Sequence, residues 1–327
     1  MRAAVCRAYG PPESIEVGVV SPPALSAGQV RVRVRAAAVN YPDVLLMAGK
    51  YQVTLDVPFV PGSEFAGVVA EVSEVSGAAD GFAVGDRVMG SAMCGAFATE
   101  IVVPATSLSV VPASVSDARA AAFGVAHRTA YHALRSLADV QPGERVVVLG
   151  AGGGVGLAAV QLAAELGASV TAVASSASKL AVAASYGASV LINHKEAELR
   201  QALREAHGDG VDVVVDPVGG DLAEPALRAL RWGGRFLTLG YASGTVPRIP
   251  LNLVLLKGCR ILGFQLRAFA ANAPDEMARN EAELRELLTS GRAFPHVGAT
   301  FALSETASAL RHVADGKAIG KVVLDIG

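Results

Sequence analysis

The residues with the clearest chemical potential lie in VVVLGAGGGVGLAAVQL (146–162). An apolar run enters a glycine cluster there and leaves as an Ala-, Val- and Leu-rich helical pattern. That strand–turn–helix order opens a dinucleotide-binding fold. Glycines let the main chain approach a pyrophosphate closely, and unpaired N–H groups at the helix start receive its negative charge. Reading back from Gly156 gives A-x-G-x-x-G on Ala151, Gly153 and Gly156, with Ala in place of the commonest first glycine. Gly153, Gly154, Val155 and Gly156 are therefore the expected pyrophosphate cradle.

The next strand–helix connection, SVTAVASSASKLAVAASYGA (169–188), contains no acid. Folds that prefer NAD usually end this strand in Asp or Glu, which accepts the ribose hydroxyls. Ser175, Ser176 and Lys179 instead offer hydroxyls and a cation, which suit the extra 2′-phosphate of NADPH. The competing reading makes the serines a helix cap and turns Lys179 to water. Asp216 ends an apolar strand before Pro217-Val218-Gly219-Gly220. The main chain around Val218 is expected to touch cofactor, with Asp216 fixing the loop. Gly240, Tyr241 and Ser243 follow a further strand and are expected to form the wall from adenine to nicotinamide; ordinary packing is the alternative for Tyr241. Phe264, Lys317 and Lys321 are expected as returning contacts, against a solvated role for the lysines.

These residues need a scaffold, and the chain can supply one. Its 327 residues suffice for two domains, and 52% hydrophobic residues can fill large cores. The net charge of -2 and the lack of a basic tract argue against nucleic acid as a partner. No uninterrupted run of eighteen apolar residues and no cleavable leader pattern is apparent, so no membrane partner and a cytoplasmic location are expected. Cys6, Cys94 and Cys259 are too far apart in sequence to suggest a disulfide framework or a four-cysteine zinc knot. Up to about residue 120 the chain reads as strands and loops; VRVRVRAAAV (30–39) alternates as a half-buried strand does. Strands at 145–149, 169–173, 189–192, 211–215 and 235–239 then alternate with helical runs at 155–166, 178–186, 196–206 and 222–231. That series predicts a mainly parallel sheet covered on both faces. Residues 252–264 read as a further strand-containing return, 276–290 as an amphipathic helix and 322–326 as a strand able to join the first domain.

Five segments, in order, resemble the zinc-free, zeta-crystallin-like quinone oxidoreductase branch of the medium-chain dehydrogenase/reductase superfamily. They are VNYPDVLLMAGKY (39–51), PGSEFAGVV (61–69), AFGVAHRTAYHAL (122–134), LGAGGGVGLAAVQLA (149–163) and GRFLTLGYASG (234–244). The resemblance implies an α/β chain: a GroES-like curved β domain (1–120 and 291–327) and a Rossmann doubly wound parallel sheet domain (121–290). It implies NADPH as cofactor, hydride transfer to a quinone, enone or activated alkene, and a homodimer.

The resemblance also assigns residues. Zinc-containing relatives hold their catalytic metal with an early Cys and with a His before the Glu of the PGSEF-like segment. Asn40 and Ser63 stand at those positions, so no metal is expected. Glu64 is then expected as a structural carboxylate bonded to main chain or to an Arg. Asn40 is expected to offer its amide N–H to a substrate carbonyl. Tyr51, with Tyr41 as the neighbouring alternative, is the candidate for substrate orientation or proton donation; wall packing competes for all three. Thr129 matches a position beside the nicotinamide. His194 stands where relatives often carry Tyr near the 2′-phosphate. Leu45 replaces a Tyr of bacterial quinone reductases, which leaves smaller enones and acrylate-like alkenes open as substrates. Two other readings remain: a non-enzymatic NADPH-binding protein, crystallin-like or nucleic-acid-associated, and an enoyl-thioester reductase.

Overall fold

The computed structural model describes residues 1–73 and 81–327. The chain forms two compact units, Met1–Val125 with Pro295–Gly327, and Ala126–Phe294. Both crossings fall a few residues later than the sequence places them.

Unit 1 is built on strands β1 (Arg2–Val5), β2 (Glu16–Val19), β3 (Gln29–Val39), β4 (Glu64–Val72), β5 (Arg87–Ser91), β6 (Glu100–Pro104) and β7 (Leu108–Val110). The C-terminal segment adds β14 (Val297–Ala302) and β15 (Lys321–Asp325). The main sheet runs β14-β15-β3-β4-β5-β7. Along β3, Val30, Val32 and Val34 turn inward while Arg33 and Arg35 face water, as the alternation predicts. Its first half pairs with β6 and its second half with β15, while β4 lies on its other side. Splitting one strand between two neighbours curves the sheet around a core of Val30, Val32, Phe65, Val69, Phe97 and Leu324.

The register of this sheet positions chemistry. Val39 at the end of β3 stands opposite Val322 near the start of β15, and Ala38 stands opposite Glu64 at the start of β4. Antiparallel pairing thus brings three segments distant in sequence to one end of the sheet. There β3 hands over to α1 (Tyr41–Met47).

Unit 2 contains β8 (Arg145–Leu149), β9 (Ser169–Ala174), β10 (Ala188–Asn193), β11 (Val211–Asp216), β12 (Leu230–Thr238) and β13 (Arg260–Gly263). They pair in parallel in the order β10-β9-β8-β11-β12-β13. Counted within the unit, this is the 3-2-1-4-5-6 order of the doubly wound dinucleotide fold. Val146, Val147, Val148 and Leu149 are fully buried, as central strands covered on both faces require. Helices α3 (Gly154–Glu165) and α4 (Ala177–Ser185) follow the expected order; α2 (Asp117–His132), which begins in the last residues of the first stretch of unit 1, runs on into a π turn at Ala133–Leu137. Leu284, Leu287 and Leu288 form the buried face of Pro274–Thr289.

Two element readings need correction. The helix expected at 222–231 stops at Arg228, because Leu230 already opens β12. The return at 252–264 begins as a helix, Leu251–Lys257, which ends at left-handed Gly258 before the short β13. Among the described residues, no helix is long and apolar enough to cross a membrane.

Candidate functional site

The glycine turn after β8 is shaped by close approaches. Gly150 has φ +60, and a Cβ there would lie 2.5 Å from Val218 Cγ2. A Cβ on Gly156 would lie 2.1 Å from the Gly150 carbonyl oxygen, so only glycine lets α3 start against the turn. The turn role assigned to Ala151 therefore belongs to Gly150. Ala151 instead ties the turn to β9 by donating its N–H to Val173 O at 3.0 Å. Gly153 caps α3 with extended backbone, and the side of it that a Cβ would fill is open to 3.5 Å. The N–H groups of Gly154, Val155 and Gly156, in the first turn of α3, have no acceptor within the helix. Such a helix start is an anion cradle.

Beside this turn the loop after β9 contributes polar side chains. Lys179 folds its aliphatic stem over Gly152 and donates from Nζ to Ser175 Oγ at 3.5 Å. Ser176 caps α4, accepting the Lys179 N–H at 3.4 Å. Ser176 therefore caps α4, and Lys179 is half-buried rather than turned to water. Burial holds the Lys179 ammonium below the ordinary lysine range. His194 follows β10; burial first, then the charges of Lys195 and Lys179, hold its imidazole below the ordinary histidine range. A phosphate placed there would relieve both penalties, since opposite charge favours the protonated forms.

The loops after β11, β12 and β13 continue along the same edge. Asp216, fully buried, accepts the N–H groups of Val218 and Gly219 at 2.8 Å each, while its Oδ2 has no partner. Burial pushes its carboxyl above the usual carboxylate range. Asp216 fixes the loop, and the Val218 main chain is itself bonded within the protein. Its N–H serves Asp216 and its carbonyl accepts from Ser243 N at 2.9 Å, leaving the side chain over Gly150. Tyr241 packs against Gly219 and Ser243 against Gly220; Gly240 lies near the Pro217 carbonyl. Phe264 stacks on His132 with ring centres 6.3 Å apart. His132, fully buried, accepts from Asn280 Nδ2 at 3.0 Å on Nδ1, which puts its proton on Nε2, 3.1 Å from Glu281 Oε1. Half-buried Thr129 lies on the same helix, α2.

Unit 1 holds the second polar constellation. Asn40, Glu64 and Lys321 meet at neighbouring strand ends, all buried. Asn40 Nδ2 donates to Glu64 Oε1 at 2.9 Å, and Lys321 Nζ donates to both Asn40 Oδ1 and Glu64 Oε1. Glu64 Oε2 accepts the Val125 N–H at 2.7 Å. Next to them, Asp43 accepts the Asn40 N–H at 2.7 Å while its Oδ1 has no partner. Complete burial pushes the Asp43 carboxyl up to about 7, against the opposing pull of the Asn40 N–H and of Lys321.

Three expectations bear on this site. The Asn40 amide is turned inward onto Glu64, with its second N–H near Ser63 Oγ and Ala38 O, so in this arrangement its strong hydrogen bond is made within the protein. Lys321 is an ion-pair partner inside unit 1, bonded to Glu64, and Lys317 is a surface residue of the same unit paired to Asp315 at 3.0 Å. Glu64 is a structural carboxylate, as expected, but its cation is a lysine. Tyr41 opens α1 and Tyr51 follows the turn after it; both are half-buried, and among the described residues neither hydroxyl makes a hydrogen bond. Asp43 was legible but unread: Asn-x-x-Asp ahead of an apolar run is a capping signature.

Comparison with known proteins agrees with both units. Residues 26–113 match the family model "Alcohol dehydrogenase GroES-like domain", and residues 154–283 match "Zinc-binding dehydrogenase". Quinone oxidoreductase-like protein 2 of Bos taurus is 36% identical over 99% of this chain and 92% of its own. Quinone oxidoreductase of Escherichia coli, solved in complex with NADPH, is 27% identical with a TM-score of 0.91, covering 100% of both chains. Polyketide synthase GfsB of Streptomyces halstedii is 37% identical over 92% of this chain and 5% of its own length. Parallel strand order, glycine turn and relatives together place the chain in the quinone oxidoreductase branch of the medium-chain dehydrogenase/reductase superfamily.

Proposed function

We propose that the protein uses NADPH to reduce a quinone or an activated alkene such as an enone or acrylate, by hydride transfer without zinc. The observation that carries the cofactor half is the cluster of Ser175, Lys179 and His194 beside the glycine turn, where no carboxylate stands to favour NADH. The first N–H groups of α3 would hold the pyrophosphate, and Ser175, Lys179 and His194 would hold the 2′-phosphate. Phe264, Thr129, Tyr241 and the Val218 side chain would line the remainder. When bound, the reduced nicotinamide supplies the hydride.

The substrate half is assigned to unit 1. With the Asn40 amide turned toward Glu64, the hydroxyls of Tyr51 and Tyr41 are the leading candidate donors for the substrate oxygen and for the proton that completes reduction. Donors of this kind stabilise charge as it develops and need no Lewis acid. The match to a polyketide synthase supports a second reading, an enoyl-thioester reductase. A panel of quinones, enones, acrylates and enoyl thioesters, driven by NADPH and by NADH, separates them. Thioester turnover far above free-enone turnover would favour the second reading, and tight NADPH binding without turnover would favour a binding protein.

For assembly, the proposal is a homodimer through the β13 edge. That strand ends the sheet, and nearby Trp232 and Leu255 are 80% and 81% exposed. Exposed apolar groups beside an unpaired edge favour pairing with a second copy. Three free cysteines fit a reducing, cytoplasmic compartment.

A further inference from the structure

The family description names zinc, and the residues at the sheet end of unit 1 do not fit that metal. A zinc centre needs thiolate, imidazole or carboxylate donors converging on an open position. Asn40 and Ser63 bring only an amide and a hydroxyl. Of the two carboxyl groups at the junction, Glu64 already accepts from Asn40, Lys321 and Val125, and Asp43 accepts the Asn40 N–H; among the described residues no three His, Cys, Asp or Glu side chains gather to hold a metal. Where these groups converge lies an ammonium, on a side chain 4% exposed.

We propose that Lys321 is the resident cation of this site and acts as a positioning residue for the substrate side. It holds the Asn40 amide, and through Asn40 and Asp43 the start of α1 that carries Tyr41. The inference rests on the reading that unit 1 receives the substrate.

Charge fixes the geometry. The Asn40 carbonyl faces the ammonium and its amide nitrogen faces the carboxylate. A flipped amide would set its NH2 against Lys321 and its oxygen against Glu64, a like-to-like arrangement on both sides. Asn40 is therefore locked in one orientation at the point where β3 becomes α1. Its main-chain N–H is held in turn by Asp43, which lies inside α1. Within the pair one positive charge stands against one negative, both buried, with the Asp43 carboxyl beside them. Such a pair keeps its place only while both members are present, because deleting either leaves an uncompensated buried charge. Lys321 arrives on the last strand of the chain, so the C-terminal segment completes the site rather than merely closing the sheet.

The test compares Lys321→Met, Lys321→Arg and the double variant Glu64→Gln/Lys321→Met in one set of measurements. They are the thermal melt, the NADPH dissociation constant, kcat and KM for the best substrate of the panel, and fluorine NMR of fluorotyrosine-labelled protein with Tyr41 assigned by Tyr41→Phe. Lys321→Met is expected to lower kcat/KM by roughly tenfold or more, with NADPH affinity within about twofold of wild type, and to move the Tyr41 resonance. The double variant, which removes both charges of the pair, is expected to recover much of the melting temperature and part of kcat/KM. Lys321→Arg, which keeps the charge, is expected to lie between wild type and Lys321→Met. If Lys321→Met does not fold, the double variant carries the same comparisons. NADPH affinity falling in step with turnover would make Lys321 a cofactor contact and overturn the proposal. So would an unmoved Tyr41 resonance with unchanged kcat/KM in a folded variant. If the wild-type protein turns over nothing in the panel, the functional reading fails. The Tyr41 resonance then decides the positioning claim alone: movement sustains it and an unmoved signal overturns it.

Discussion

Lys179 and Asp43 show how burial gives single side chains a measurable signature. Lys179 is held half-buried over Gly152 with its ammonium toward Ser175. If it reads the 2′-phosphate, Lys179→Ala should weaken NADPH binding by about tenfold, about 1.4 kcal/mol, and leave NADH binding unchanged. Calorimetric titration with both nucleotides checks this, and equal weakening would remove Lys179 from the phosphate site. Asp43 makes a prediction in pH. Its carboxyl is raised to about 7 in the folded protein, whereas an unfolded aspartate titrates near the ordinary value of about 4. The folded state therefore binds the extra proton between those values. Its contribution to stability is complete below about pH 4 and is lost as pH rises through about 7. Asp43→Asn keeps an acceptor for the Asn40 N–H and does not ionise. The melting temperature of wild type relative to Asp43→Asn should fall as pH goes from about 5 to about 8; a constant difference would mean that Asp43 does not hold a proton. Tyr51→Phe should lower kcat if that hydroxyl gives the proton, and unchanged turnover at saturating substrate would pass the task to water.

At the scale of elements, local contacts were readable and distant ones were not. The strand–glycine–helix opening depends on neighbours a few residues apart, so β8 and α3 could be read directly. The phase within the glycine cluster was harder. Counting back from Gly156 selects Ala151, yet the tight backbone conformation belongs to Gly150. A run of glycines satisfies more than one spacing, and only the backbone angles choose. The Glu64–Lys321 pair joins residues 257 apart in sequence, and nothing local marks Lys321 as buried. The inward turn of the Asn40 amide was hidden for the same reason, because its partners arrive on other strands. Gly156 supplies a direct test of the packing account. Gly156→Ala puts a methyl 2.1 Å from the Gly150 carbonyl. It should cost about 1–3 kcal/mol and weaken NADPH, read as a lower denaturant midpoint with an unchanged slope. A neutral substitution would show that α3 can shift without penalty.

For the whole molecule, one unit is built on a parallel sheet with a glycine turn after β8, and the other is a curved sheet whose end holds a buried ion pair. Alternating strand and helix patterns announced the parallel-sheet unit, and the period-2 alternation of 30–39 announced the strands of the curved sheet but not its ion pair. The assembly is a separate prediction. Sedimentation should give a dimer, and Leu255→Glu, on an exposed helix face near β13, should shift it toward monomer; a wild-type protein that stays monomeric at working concentration would remove the edge-pairing proposal. The measurement closest to the central claim is steady-state oxidation of NADPH by the purified, chelator-treated protein across the quinone, enone, acrylate and thioester panel, with NADH in parallel. The account predicts turnover of a quinone or free activated alkene, with NADPH preferred over NADH by about tenfold or more in kcat/KM. Equal use of the two nucleotides, or activity that appears only when zinc is restored, would contradict it.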